Sequence, residues 1–269
     1  MNKKIFSLLL LFSFFFLSLG AFAKDKIEVE NNTAGIYVFK INTKKYSDKI
    51  KPFMTRTVQT PQKVYDDNCF DLVVNAGFFD VKTGASVSYI TLDGKMISDV
   101  EDNTQLIQNL KKDGRLEGVL NRSEFRVLEN KRHKLKFDIA YHNDPIKKGY
   151  KIKHALQGGP FIYPTVDLVK EGFVIYDNDI VKFQSVDILK RRERTAIGLK
   201  DNELYIVIFT KDHKVDAFEM KTFMEKELKV KKAMAFDGGL STGISYKNIS
   251  IGSVGNHQRK VKSFLVIER

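Results

Sequence analysis

A single carboxylate, Asp237, lies where a short apolar segment enters a glycine-rich loop. Residues 233–236 are apolar and predict a buried strand that ends directly before Asp237. Two glycines and two hydroxyl residues follow in the loop, namely Gly238, Gly239, Ser241 and Thr242. Because glycine has no Cβ and adopts positive φ readily, a ligand can approach the amides of such a loop closely. The pattern indicates a polar pocket, and the alternative is a tight turn in which Asp237 binds its own backbone.

Three other segments have the same form, an apolar strand with small or polar residues at its end. They are Leu-Val-Val-Asn-Ala-Gly-Phe-Phe-Asp at 72–80, Ala-Leu-Gln-Gly-Gly-Pro at 155–160 and Arg-Thr-Ala-Ile-Gly at 194–198. Polar ends on apolar strands are costly to scatter without ligands that satisfy them. We therefore expect the strand ends at Asn75, Gln157 and Asp237, and the strand that begins at Arg194, to share one cleft.

In this order and spacing, the four segments resemble the phosphodiester glycosidase family, which has many bacterial members linked to exopolysaccharides. The resemblance runs from about Asp71 to the C terminus. It implies hydrolysis of a sugar-1-phosphodiester, similar to N-acetylglucosamine-1-phosphodiester, to free sugar and a phosphomonoester. Residues 85–89, Glu193 and Leu240 depart from the residues typical of the family. An alternative is therefore a non-catalytic binding protein for anionic cell-surface polysaccharide, and a third possibility is another glycosidase that acts on exopolysaccharide.

The resemblance also suggests roles for individual residues. Asp237 would act as nucleophile or general base at the anomeric carbon. Arg194 would neutralise the departing phosphate, because a guanidinium presents two parallel N–H donors to an oxyanion. Glu193 is an alternative partner for Arg194. The predicted catalytic residues are Asp237, Arg194 and Asn75, and the predicted substrate-binding residues are Gly77, Phe78, Phe79, Asp80, Gln157, Gly158, Gly159, Thr195, Gly238, Gly239, Ser241, Thr242 and Asn256.

Within that set, Asn75 and Asp80 are expected to position sugar hydroxyls. The amides of the two glycine pairs, 158–159 and 238–239, are expected to be exposed and to hold substrate oxygens. A phosphate monoester is a good leaving group that needs less protonation than an alkoxide, so such a site can work without two strongly tuned carboxyls.

The N terminus predicts export. Residues 2–4 include two lysines, residues 5–19 are almost entirely apolar, and Ala21 and Ala23 are small, as in a secretory signal peptide cleaved after Ala23. The apolar segment is shorter than the roughly 20 residues that span a bilayer, so we expect no stable membrane anchor. Residues 24–269 are then expected to form one phosphodiester glycosidase-like domain, which is periplasmic or secreted.

Charge and composition narrow the partners. The net charge of +12 falls to +10 without residues 1–23, because that segment carries two lysines and no acids. The lysines are scattered, so a phosphate-linked glycan is a better partner than nucleic acid. Cys69 is the only cysteine and is expected to be a buried small apolar residue. The five histidines lack zinc-site spacing, and no cofactor is expected. A divalent cation such as Ca²⁺ and the oligomeric state are left open.

Periodicity predicts an α+β fold of mixed sheets with few helices. Helices are expected over 103–112 and over 216–228, the second with Phe218, Met224 and Leu228 toward the core. Strands are expected around 118–120, 125–128 and 136–139, and a hairpin turn at 93–94. The strand that begins at Arg194 is expected to pair with residues 203–209. The basic residues 190–192 are expected to form a solvated face.

Overall fold

The computed structural model describes residues 27–185, 187–253 and 257–269. Its strands form one six-stranded sheet, two five-stranded sheets and a two-stranded hairpin. In spatial order, the six-stranded sheet contains β1 (Ile27–Thr33), β2 (Ile36–Asn42), β14 (Glu203–Phe209), β13 (Arg194–Lys200), β15 (Lys232–Ala235) and β10 (Phe161–Tyr163). The second sheet contains β17 (Ile249–Gly252), β16 (Gly243–Tyr246), β4 (Phe70–Asn75), β18 (Val261–Glu268) and β3 (Ile50–Gln59).

The third sheet contains β6 (Lys95–Ser98), β5 (Ile90–Leu92), β9 (Tyr150–Gln157), β7 (Ser123–Asn130) and β8 (Leu135–Tyr141), and the hairpin contains β11 (Val174–Asp177) and β12 (Ile180–Gln184). The helices are α1 (Pro61–Asp67), α2 (Thr104–Lys112), α3 (Leu116–Leu120) and α4 (Ala217–Thr222), with 3₁₀ turns at Val100–Asp102 and Gly239–Ser241 and a π-helical turn at Phe223–Glu227. The prediction of an α+β fold with few helices is confirmed. The strand pairings just described are antiparallel.

The central strands β13 and β14 are covered on both faces. Ile206 and Ile208 pack in one apolar cluster, whereas Val207 and Phe209 on the opposite face pack in another. Strands buried on both faces have continuous apolar sequences, as residues 203–209 do. This sheet therefore provides a rigid support for the residues at its ends.

Several local predictions are confirmed. Helix α2 begins after Asn103, whose side chain accepts the Leu106 amide. The hairpin turn contains Asp93 and Gly94 with φ of 50° and 74°, as a two-residue hairpin turn requires. Helix α4 begins with a capping box between Asp216 and Glu219 and passes into the π-helical turn.

Three predictions are wrong. Residues 118–120 belong to helix α3 and not to a strand, because a short apolar segment does not reveal its period. Phe218 is 54% exposed, since Ala217, Met220 and Met224 form the buried face of that helix. Cys69 is exposed, in the turn between α1 and β4.

The predicted signal peptide lies outside the described residues. Within the described ranges, the structure contains no helix of the length and apolarity that crossing a membrane requires.

Candidate active site

Asn75, the last residue of β4, joins three of the four predicted segments. Its Nδ2 donates to the Asp237 carbonyl oxygen at 2.6 Å, and its Oδ1 accepts from Thr195 Oγ1 at 2.7 Å and from the Gly243 amide at 3.1 Å. The prediction that these strand ends meet is confirmed. However, Asn75 and Thr195 are fully enclosed, so Asn75 positions the Asp237 loop and does not hold a sugar hydroxyl.

The fourth segment lies beside Asp237 with its polar groups already bonded. The Gly158 amide donates to the Ser123 carbonyl at 3.0 Å and the Gly159 amide to that of Ala235 at 2.9 Å. The prediction of exposed amides here is therefore wrong. It is also wrong at residues 238–239, because the Gly239 amide donates to the Glu193 carbonyl at 2.7 Å and the Gly238 amide donates to the Asp237 carboxylate. Gln157 is also buried, and its Nε2 donates to the Leu120 carbonyl at 3.0 Å. This segment supports the site from behind.

Asp237 is a buried carboxyl with an unusual pKa. Its side chain is 7% exposed, and burial raises its pKa from 3.8 to about 6. A hydrogen bond from Ser241, the positive charge of Arg259 and the Gly238 amide oppose that rise. A carboxyl with this pKa changes its protonation near neutral pH, which suits a catalytic acid, base or nucleophile.

Asp237 faces a cavity of about 510 Å³. Six predicted residues line it, namely Phe78, Phe79, Asp237, Gly238, Gly239 and Ser241. Seven residues that were not predicted also line it, namely Val81, Asp187, Arg192, Glu193, Lys214, Leu240 and Arg259. The C-terminal polar loop was a weak signal for Arg259, whereas the basic run at 190–192 was assigned to solvent. Arg192 corrects that assignment, because it lines the cavity.

The three cations of the cavity differ in their partners. Arg192 Nη2 lies 2.8 Å from an oxygen of Asp187, and Lys214 Nζ lies 3.7 Å from an oxygen of Glu193. Arg259 forms no ion pair with any residue that the structure describes, and its guanidinium carbon lies 5.9 Å from the centre of the Phe79 ring. Arg259 is thus the cation in this cavity whose charge is not balanced by a contacting carboxylate.

Arg194 is bound differently from the prediction. It is 2% exposed, its Nε donates to the Val215 carbonyl at 3.3 Å, and its Nη2 donates to the carbonyls of Asp187 and Lys190 at 2.8 and 2.9 Å. The expectation of an open fork for phosphate is corrected, since these donors hold two loops of the cavity wall. Glu193 was the alternative partner predicted for Arg194. In the structure, the Glu193 carboxylate lies 3.7 Å from Lys214 Nζ.

The remaining predicted residues lie around this lining. The Gly77 amide donates to Ser263 Oγ at 3.1 Å, and Asp80 accepts the Lys82 amide at 2.8 Å within its own loop, which corrects its predicted role at the sugar. Thr242 Oγ1 is enclosed, with no hydrogen-bond partner among the described residues. Asn256 lies outside the described residues.

A larger cavity, of about 790 Å³, lies at the far ends of β13 and β14, beside the turn at Asp201. Its buried carboxylate, Glu129, lies 3.2 Å from Lys151 and 3.7 Å from Lys153. Because that charge is balanced by contacting lysines, we assign the chemistry to the Asp237 cavity in spite of its smaller volume. In the part of the chain that the structure describes, no group of three or more His, Cys, Asp or Glu could hold a metal ion.

Comparisons with known proteins identify the family and the fold of the chain. The family model for phosphodiester glycosidases matches residues 68–268. No curated protein matches the sequence significantly. The zebrafish N-acetylglucosamine-1-phosphodiester alpha-N-acetylglucosaminidase catalytic domain, auto-inhibited by its pro-peptide, is similar with a TM-score of 0.61 and 13% identity, over 90% of this chain and 81% of that chain.

Two bacterial structures are also similar. A hypothetical protein from Synechocystis gives a TM-score of 0.59 with 12% identity, over 90% of this chain and 61% of that one. A putative exported protein from Burkholderia pseudomallei K96243 gives a TM-score of 0.55 with 11% identity, over 87% of this chain and 74% of that one. At these identities the structures show a shared fold.

Proposed function

The chain belongs to the phosphodiester glycosidase family, and we propose that it hydrolyses a sugar-1-phosphodiester to the free sugar and a phosphomonoester. The observation that carries the proposal is the buried Asp237 carboxyl, with a pKa of about 6, in one cavity with Arg259, a cation that has no ion pair among the described residues. A carboxylate can attack or deprotonate at the anomeric carbon, and a guanidinium stabilises the phosphate that leaves.

Two roles of Asp237 fit this arrangement. As a base, its carboxylate takes a proton from a water molecule whose oxygen bonds to the anomeric carbon, while the electron pair of the broken C–O bond leaves with the phosphate. As a nucleophile, the carboxylate itself bonds to the anomeric carbon, and water releases the sugar in a second step. In both roles Asp237 must be ionised. The departing phosphomonoester needs no proton, so Arg259 neutralises charge in place of a second carboxylic acid.

We further propose that the protein is exported and that its substrate belongs to a surface glycan or phosphopolymer. The N-terminal sequence pattern and the net charge of +12 support this part of the proposal. A basic protein attracts phosphate-linked polymers at long range, and the cations of the cavity would then select the phosphodiester itself.

The test is an assay of the purified protein on a panel of sugar-1-phosphodiesters, with matched neutral glycosides as controls. We expect free sugar and phosphomonoester from the phosphodiesters alone, detected by proton and phosphorus NMR. Parallel reactions with Ca²⁺ or with EDTA test a metal requirement. The configuration of the first anomer released distinguishes the base from the nucleophile, because a covalent intermediate gives retention. Binding without turnover would instead support the alternative of a polysaccharide-binding protein.

A further inference from the structure

Three arginines of this chain have almost fully buried side chains, and two of them have donors engaged by the backbone. Arg194 donates to the carbonyls described above. Arg126, 1% exposed, donates through Nε to Glu124, and its Nη atoms donate to the carbonyls of Asp144, Tyr141 and His142. Each of these guanidinium groups therefore has a structural role that its contacts explain.

Arg122 has no such explanation. It is 6% exposed, and only its Nε donates, to the Glu171 carbonyl at 3.1 Å. Its Nη1 and Nη2 make no hydrogen bond to any residue that the structure describes, and no described carboxylate lies within 4.0 Å of them. Burial lowers the pKa of Arg122 to about 10, so its charge is retained at neutral pH. A buried charge without a contacting partner is costly, and an anionic ligand would offset that cost.

Arg122 lies behind the lining of the Asp237 cavity, against a side chain that forms part of that lining. Its guanidinium carbon lies 3.9 Å from the centre of the Phe173 ring and 4.9 Å from that of Phe78, and Phe78 lines the cavity. Fully enclosed polar atoms without a partner in the described chain are Arg115 Nε, Gln184 Oε1 and Thr242 Oγ1, so the Arg122 Nη atoms keep some contact with solvent. The negative charges of Glu171 and Asp237 both raise the pKa of Arg122, against the effect of burial.

Nearby groups fix Arg122 in place. The negative charge of Glu171 raises the pKa of Arg122, but its carboxylate makes no hydrogen bond or ion pair with the guanidinium among the described residues. The Glu171 carboxylate accepts the amide and hydroxyl of Ser123 and the amide of Phe161, at 2.7, 2.9 and 2.6 Å. Gly159 has φ of 109°, and a Cβ there would lie 2.8 Å from Glu171 Oε2. The carboxylate is thus held toward the backbone, while stacking on aromatic rings keeps the guanidinium plane oriented.

We propose that Arg122 is a second anion-binding residue of the site, whose Nη atoms bind a substrate oxyanion beside Asp237. The oxyanion is either the phosphodiester group or the carboxylate of an acidic sugar, since a guanidinium binds both in the same planar geometry. The proposal rests on the proposed function and extends it by naming the residue that recognises the charge of the substrate.

The test compares Arg122→Lys and Arg122→Met with Arg126→Lys, a matched change at a buried arginine whose donors are engaged. Calorimetry on each purified full-length protein measures Kd for inorganic phosphate, for glucuronate and for neutral N-acetylglucosamine. We expect both Arg122 variants to weaken one of the two anions by on the order of tenfold to a hundredfold. Arg126→Lys should lower Tm and leave both anion Kd values unchanged. The anion that is lost identifies the substrate group.

Unchanged Kd values for both anions in a folded Arg122 variant, or no binding of either anion by the wild type, would overturn the proposal. Arg122→Met keeps the apolar stack, so it should fold where Arg122→Lys does not. If neither folds, the Arg122 Nε–H resonance of the wild type should move on titration with the anion, and a resonance that does not move overturns the proposal. Turnover by the wild type with unchanged Kd values defeats this inference alone, whereas Arg122-dependent binding without turnover defeats the proposed reaction alone.

Discussion

Arg194 and Arg122 are both buried arginines whose charges interact with Asp237, and they differ in how their donors are satisfied. For Arg194, carbonyls of the cavity wall accept the donors of the side chain. For Arg122, aromatic rings cover the guanidinium faces and leave the Nη atoms without a partner in the described chain. Burial therefore does not separate an arginine that stabilises the fold from one that is available to a ligand. The hydrogen bonds of its donors do.

The largest effect on catalysis is expected for Asp237→Asn, which removes the carboxylate whose charge interacts with both arginines. Asparagine keeps the shape but cannot act as a nucleophile or base, so kcat should fall by on the order of a thousandfold or more. Steady-state hydrolysis of a sugar-1-phosphodiester measures it. Asp80→Asn is the control, because that carboxylate closes its own loop. Wild-type kcat in Asp237→Asn would show that Asp237 is only a turn residue and would remove the basis of the comparison.

Arg194→Lys tests the structural side. A lysine cannot donate to three separate carbonyls in the planar geometry of a guanidinium, so the free energy of unfolding should fall by about 2–4 kcal/mol. Urea denaturation measures the loss. Arg191→Lys, at a side chain that is 60% exposed, should change stability by less than about 0.5 kcal/mol. Unchanged stability together with a loss of kcat/KM would instead support the sequence-based prediction that Arg194 binds the phosphate.

The pH dependence of stability tests the environment of the Asp237 carboxyl. The folded-state pKa of Asp237 is raised from 3.8 to about 6, so the native state holds its proton longer than the unfolded state as pH rises. Ionisation therefore destabilises the native state between about pH 4 and pH 6, with a cost of about 3 kcal/mol above that range.

Asp237→Asn removes this cost, so at pH 8 it should unfold at a higher temperature than the wild type, with the difference nearly absent at pH 4. Thermal denaturation at the two pH values measures it, with Asp80→Asn again as control. An equal difference at both pH values would mean that Asp237 titrates normally.

The smallest effects on catalysis are expected for two other cations that line the cavity, Arg259 and Lys214. They differ in whether a described carboxylate lies within ion-pair distance. Arg259→Gln should lower kcat/KM by about tenfold because its charge is unpaired. Lys214→Gln should cost only about twofold to threefold, since Glu193 already balances this lysine and its exposed charge is screened by salt. The comparison is made at low and at high ionic strength. Equal losses for both variants would show that the cations only attract substrate at long range.

The sequence was sufficient to predict that the polar strand ends meet, but not which cations lie around Asp237. Apolar strands with polar ends are a local pattern, and that pattern identified the meeting of Asn75, Thr195 and Asp237 correctly. Which donors remain unsatisfied depends on carbonyls contributed by distant segments, so Arg122 had no local signal and Arg259 had only the weak signal of its polar loop. The same dependence explains the error at residues 158–159, where Ser123 and Ala235 engage amides that the glycine pair alone suggests are exposed.

Secondary structure shows the same limit. The cap at Asp216 was readable, because a capping box involves residues three apart. The buried face of helix α4 could not be predicted from the sequence. Whether Ala217 or Phe218 lies on that face depends on the neighbouring sheet. The strands with continuous or alternating apolar residues, such as β7 and β14, were identified because their period is fixed by the backbone.

The junction at Asn75 also bears on the order of folding. Its hydrogen bonds join residues separated by 162 positions for Asp237, 120 for Thr195 and 168 for Gly243. Contacts between such distant positions close long loops, which is entropically costly and slow. The Asp237 loop therefore acquires its geometry only after β4, β13 and β16 have come together, and a chain that ends before Gly243 cannot complete the site.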